Sequence, residues 1–248
     1  MDLIKKLIIV VALTFFNVCT CFAQEPSVNE IINNVHKAYG EAQTYSDSGE
    51  VKTVFVRGGG KGTDIKTFTT AFVRPDRFRL ELKFKLKPDD PDWIRYIVWQ
   101  NGDKIMSWNS RANKSKSLES LAMAIAGPAG LSGGSASYIP SLLRPYEVRG
   151  RRITDLQEIK IIESKDGVIQ INGARSVDIK GLDKFFDDLN LSTLFNDDVT
   201  LWIDSKSFLI KRIDIHTTSS DFESTTSIMY TPEINVVIDD KKLEFQHE

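Results

Sequence analysis

Cysteine is almost missing from this chain. Only Cys19 and Cys21 occur in 248 residues. Both lie in the leader, so no disulfide framework supports the rest of the chain, which must be held by its core alone. Histidine is nearly as scarce. His36, His216 and His247 are the three present, and their spacing fits no metal motif. A basic excess is lacking too: the net charge is −2, which argues against a nucleic-acid binder. No second long apolar run comes after the leader, so nothing further reads as a membrane span. The strands do not alternate with helices as βαβ units would, which excludes a parallel α/β sheet. Neither a repeat nor a low-complexity linker breaks the chain, and residues 24–248 read as one domain.

What is present begins with the leader, residues 1–23. Lys5 and Lys6 form a basic start, Leu7 to Phe16 an apolar centre, and Cys21-Phe22-Ala23 a small-residue end. This pattern predicts a signal peptide cut before Gln24. The apolar centre falls short of the ~20 residues of a spanning helix. Acylation at Cys19 or Cys21 would come after Val18 or Thr20, neither of them a very small residue. Removal of the leader takes away Asp2, Lys5 and Lys6 and leaves the remainder slightly more negative.

The remainder opens with a helix. Ser27 and Glu30 have capping-box spacing, and Val28, Ile31, Ile32, Val35, Ala38, Tyr39 and Ala42 recur on one face. Gly40 weakens the final turns. From Tyr45 the period changes to two. A first strand runs through Val51 to Val56, Gly58 to Gly62 makes a hairpin tip, and Lys66 to Val73 returns. Arg74-Pro75-Asp76 then interrupts. The clearest alternation is at 77–86. Phe78, Leu80, Leu82, Phe84 and Leu86 take one face, and Arg77, Arg79, Glu81, Lys83 and Lys85 the other. One face of this strand is buried and one is wet, as in an antiparallel sheet.

Arg95 to Gln100 and Lys104 to Asn109 flank the turn Asn101-Gly102-Asp103. Leu118 to Ala126 predicts a short helix, Gly127 to Gly134 a flexible link, and Ser135 to Leu143 a second short helix before Pro145. Strands resume at Gln157 to Ser164, Val168 to Asn172 and Ala174 to Lys180, with Asp166-Gly167 and Asn172-Gly173 as turns. Leu182 to Leu194 is acidic and partly helical in pattern. Thr200 to Asp204, Leu209 to Thr217, Phe222 to Tyr230 and Ile234 to Ile238 complete a β-rich α+β chain of about ten or eleven strands.

Candidate chemistry is sparse. Gly130-Leu131-Ser132-Gly133-Gly134 matches the nucleophile-elbow pattern, but a helix and a proline precede it where a strand is required. A flexible hinge is the better reading. In Gly58 to Thr63, Lys61 is followed by glycine and by no helix, so this is a turn and not a phosphate loop. Asp187-Asp188, Asp197-Asp198 and Asp239-Asp240 could serve acid–base work or hold calcium, though solvated loops are the commoner home of such pairs. Trp93, Trp99, Trp108 and Trp202 could line a cavity or simply fill a core. No cofactor is implied.

The order of these signals resembles the LolA-type family of periplasmic lipoprotein carriers. The resemblance runs from Ser27 to the C-terminus. It rests on the first helix and the strand from Tyr45, on Phe72-Val73-Arg74-Pro75-Asp76-Arg77-Phe78-Arg79, and on Asn101-Gly102-Asp103 to Trp108-Asn109. Leu201-Trp202-Ile203-Asp204 to Lys211-Arg212, Asn235 to Ile238, and Phe245 complete it. It implies a half-open antiparallel β-barrel with helices over its concave face and acyl chains held between. It assigns ligand contact to Phe78, Leu80, Leu82, Trp99, Trp108, Met123 and Ile125. Arg74 matches an arginine that latches the helical lid. The Gly- and Ala-rich lid and the acidic stretch Leu182 to Asp198 depart from the family pattern.

Three functions compete. First is an exported, non-enzymatic carrier of lipid or acylated protein, probed by co-purified lipid. It would be monomeric and would meet a membrane-associated donor or acceptor protein. Second is a periplasmic sensor or accessory module of the same fold, acting through a protein partner. A remote third is a secreted hydrolase using Ser132.

Overall fold

The computed structural model describes residues 26–245 except 58, 88, 149–151, 177–195 and 219–221. The leader with its cleavage site, the stretch Leu182 to Leu194 and His247 lie outside the described residues.

Helix α1 (Val28–Glu41) starts at the expected capping box. The Ser27 backbone N–H donates to Glu30 Oε2 at 2.7 Å, and the Glu30 N–H donates to Ser27 Oγ at 3.3 Å. Two of the helix's otherwise unpaired donors are satisfied this way. Ile31, Val35 and Tyr39 point inward and are buried. Despite Gly40 the helix runs to Glu41. The Tyr39 hydroxyl accepts from the Ile210 N–H at 3.0 Å, which ties the helix to the sheet.

The strands are β1 (Thr44–Arg57), β2 (Gly60–Val73), β3 (Arg77–Phe84), β4 (Ile94–Asn101), β5 (Lys104–Asn109), β6 (Lys114–Leu118), β7 (Gln157–Lys165), β8 (Val168–Ser176), β9 (Asn196–Asp204), β10 (Ile210–Thr218), β11 (Phe222–Tyr230) and β12 (Glu233–Ile234). Between β6 and β7 come α2 (Leu121–Ala129) and α3 (Ser135–Leu143). All described pairings are antiparallel, in the order β6-β5-β4-β3-β2-β1-β11-β10-β9-β8-β7, with β12 beside β1. Among the described residues β6 and β7 do not pair with each other, so the curved sheet stays unclosed. The mainly β, half-open architecture expected from the sequence is the one observed.

Several local expectations change. Leu86, expected on the buried face, lies beyond the end of β3 and is 55% exposed, and Gly127, expected in a link, lies inside α2. Lys114–Leu118 forms a strand that was not expected. It has no apolar period of its own and exists through its pairing with β5. Asn172-Gly173 is not a turn, because β8 runs straight through it with Gly173 opposite Val199. A Cβ on Gly173 would lie 2.8 Å from the Gln157 carbonyl oxygen, so close packing explains that glycine. The last strand spans only Glu233–Ile234 and does not reach Ile238.

Candidate functional site

Register decides which side chains share the inner face. Phe72 pairs with Tyr45 and Phe78, Leu80 with Thr70 and Val98, and Leu82 with Phe68 and Tyr96. Cross-strand partners lie on the same side of a sheet. Phe78, Leu80 and Leu82 are wholly buried. They form one apolar cluster with Leu121, Ala124, Ile125, Ile139, Leu142 and Leu143 of the two helices. Four residues singled out from the sequence, Phe78, Leu80, Leu82 and Ile125, therefore meet beneath the helical cover. Each buried side chain of this size contributes roughly 1.5–3 kcal/mol. Leu80→Trp adds bulk where nothing is exposed, and it should destabilise by about 1–3 kcal/mol in urea denaturation. An unchanged midpoint and slope would mean that the interior has room for the larger ring.

Arg74 stands at the rim, where β2 has just ended. Its Nε donates to the Ala42 carbonyl at 3.0 Å, and its Nη2 to the carbonyls of Gly40 at 2.9 Å and Leu143 at 3.4 Å. Two of these acceptors are at the C-terminal end of α1, where helix carbonyls lack partners. The third ends α3. One planar fork thus ties two helices to the rim. Arg144 repeats the device. Its Nη1 donates to Gln100 Oε1 at 2.6 Å and its Nε to Glu147 Oε1 at 2.9 Å.

The remaining three residues fall elsewhere. Met123 lies on α2 with 52% of its surface exposed. Trp99 and Trp108 do not share the inner face, which corrects their grouping with Phe78. Trp99 pairs with Arg79, and Trp108 with Ile97, itself opposite Glu81. This is the outer, charged face of β3. There the C-terminal tail covers them: Phe245 stacks on Trp99 at 4.5 Å and meets Trp108 at 5.4 Å. On the same face Glu81 accepts from Arg95 Nε at 2.8 Å and also pairs with Arg79. Burial works against its ionisation, but the two arginines prevail and hold its carboxyl below the usual range.

Two polar groups on the inner face were not anticipated from the sequence. The first is Asp47, buried beside Tyr45 and opposite Thr70. The Tyr45 hydroxyl donates to Asp47 Oδ2 at 2.6 Å. Burial pushes the Asp47 carboxyl up to about 6, against the opposing hydrogen bonds from Tyr45 and Thr70. The signal was available: Tyr45, Asp47, Gly49 and Val51 keep a period of two, so a carboxylate had to share the tyrosine's face. The second is a network at the far side. Asp197 accepts from Arg175 Nε at 3.0 Å and from the Thr217 hydroxyl at 2.6 Å. Arg175 Nη1 donates to the Tyr138 hydroxyl of α3 at 3.0 Å. Nothing in the local sequence announces this, since its parts come from four separate elements.

Ser132 is wholly buried between α2 and α3. Its hydroxyl donates to the Ala129 carbonyl at 3.0 Å and accepts from the Ala136 N–H at 3.1 Å. It therefore ties the α2–α3 turn together, without the preceding strand a nucleophile elbow requires. Among the described residues, no group of three His, Cys, Asp or Glu side chains is placed to hold a metal, and no helix is long and apolar enough to cross a membrane.

These features define a class: an unclosed antiparallel sheet whose apolar concave face is covered by short helices. No protein-family model and no curated protein matches the chain. Among solved structures it is similar to the lipoprotein LppX of Mycobacterium tuberculosis, with 13% identity over 87% of this chain and 99% of that one, at a TM-score of 0.41. It is similar to a LolA superfamily protein from Nitrosomonas europaea, with 9% identity over 89% and 98% of the two chains, at a TM-score of 0.35. It is also similar to a chain of the MucA/MucB complex of Pseudomonas aeruginosa, with 9% identity over 88% and 61%, at a TM-score of 0.41. These likenesses are loose, and strand order and register define the fold.

Proposed function

We propose that the chain is an exported carrier that holds the acyl chains of a lipid or acylated protein between its curved sheet and the α2–α3 cover. One observation carries this reading. From Leu121 to Leu143 the cover contains no charged residue. It lies on an apolar sheet face, in one cluster with Phe78, Leu80 and Leu82. Acyl chains inserted between the two would meet apolar groups on both sides and would break no ion pair of the cover on entry. The leader fits export to the periplasm with cleavage after Ala23. A monomer that exchanges cargo with a membrane-associated donor or acceptor completes the reading.

Native mass spectrometry of the protein purified from the periplasmic fraction tests the proposal. Co-purified lipid is expected, on a chain that begins at Gln24. Ligand-free protein that also fails to take up a fluorescent fatty acid would overturn it. Arg74 carries a linked prediction. Arg74→Leu keeps apolar bulk but removes the donors that reach Gly40, Ala42 and Leu143. Ligand dissociation measured by stopped-flow fluorescence should be several-fold faster, with a melting temperature close to that of the unaltered protein. Unchanged exchange would reduce Arg74 to a cap of α1.

A further inference from the structure

A pocket of about 690 Å³ opens at the β6 edge of the sheet. Tyr96, Ser107, Asn109, Arg111, Lys114 and Lys116 line it, and Trp108 also borders it. Register places it on the inner side. Tyr96 pairs with Asn109, Asn109 with Lys114, and Ser107 with Lys116, and Tyr96 pairs with the buried, inward-facing Leu82. The pocket also abuts the cover: a Cβ on Gly127 of α2 would lie 2.4 Å from the Tyr96 hydroxyl oxygen. It therefore lies where the seam between sheet and helices reaches the surface.

Its charge has one sign. Between Asp103 and Glu119 there is no acidic residue, while Lys104, Arg111, Lys114 and Lys116 are all basic. Among the described residues none of these four takes part in an ion pair. The chain as a whole is net negative, so this is a local reversal. Three cations together with Ser107 and Asn109 offer charge and hydrogen bonds to an anion, and Tyr96 offers an aromatic wall.

We infer that this pocket receives the anionic, phosphate-bearing head group of the amphiphile whose acyl chain passes under α2. The inference rests on the carrier reading and narrows its ligand class. Lysine and arginine at the seam bind the phosphate in contact with water, so the charge need not enter the apolar interior. The acyl chain would reach Leu80 and Leu82 by parting α2 from the sheet at the close Gly127–Tyr96 contact.

The test compares two amphiphiles with one acyl chain, 1-oleoyl lysophosphatidic acid and 1-oleoylglycerol, by calorimetry at low and high salt. The unaltered protein should bind the phosphate-bearing one about tenfold more tightly at low salt, since each exposed contact of this kind contributes roughly twofold. High salt should erase most of that difference. The triple variant Arg111→Ser, Lys114→Ser, Lys116→Ser should lose the preference and still bind 1-oleoylglycerol. Lys104→Ser, at the start of β5 and not among the residues lining the pocket, should keep it. Equal affinity for the two amphiphiles, or a preference that survives the triple variant, overturns the head-group site and leaves the carrier reading standing. Failure to bind either amphiphile overturns both. Binding of glycerol 3-phosphate as tight as that of the lipid overturns the lipid as the source of the anion.

Discussion

Asp197→Ala is expected to cost about 3–5 kcal/mol of folding stability, because it strands a buried charge. Asp197 is only 5% exposed. Arg175 reaches it through two nitrogens, at 3.0 and 2.5 Å. With the carboxylate gone, the guanidinium keeps, among the described residues, the Tyr138 hydroxyl and the nearby Tyr138 ring, 5.5 Å away. The Thr217 hydroxyl loses its acceptor as well. The double variant Asp197→Ala, Arg175→Met should recover most of the loss, because apolar side chains of similar bulk replace buried ion pairs at little cost. Urea denaturation of the two variants decides the matter. A single variant within about 1 kcal/mol of the unaltered protein would show that Arg175 finds water once its partner is gone.

Asp47→Asn should act in the opposite direction, with an effect that opens above about pH 4 and is nearly complete just above pH 6. The Asp47 carboxyl titrates near 6 in the folded protein because it is buried, against about 4 for an aspartate in an unfolded chain. Its folded value is thus raised. The stability linked to it is complete below about pH 4 and is lost as pH rises through about 6. A difference of about two between those values corresponds to about 3 kcal/mol. Asparagine keeps an acceptor for the Tyr45 hydroxyl and carries no charge. The variant should therefore be more stable by up to about 3 kcal/mol at pH 8 and equal to the unaltered protein near pH 4. Thermal melts of the pair across this range measure the gap. A gap that does not change with pH would remove the buried carboxylate as its cause.

How much of this was legible in the sequence depended on where each contact lay. Residues 77–84 showed their two faces plainly, because one is apolar and the other charged. The parity of β4 was hidden. Ile97 and Val98 are adjacent and both fully buried, since the helices cover one face and the C-terminal tail the other. The pairing of Trp99 with Arg79, and the cover that Phe245 lays on Trp99 from more than a hundred residues away, show that the tryptophans face outward. β6 was illegible for a similar reason: Lys114, Ser115, Lys116 and Ser117 have no apolar member, and the strand exists through its neighbour. Arg74 was reached by resemblance, and its three acceptors lie where two helices end. Asp47 could have been read from alternation alone.

The open sheet also has a consequence for how the chain keeps its own company. β6 and β7 are each paired on one side only among the described residues, and such edges invite further copies to add on. Here each rim discourages that in its own way. β6 presents Lys114 and Lys116, which would oppose the same lysines on a second copy. β7 breaks step with β8 twice, between Gln157 and Lys160 and between Ile161 and Glu163, and Glu158 adopts a φ of 51°. A bulged strand bends and cannot zip smoothly onto a straight one. The gap in the described sheet is thus bordered by edges that resist the addition of another strand.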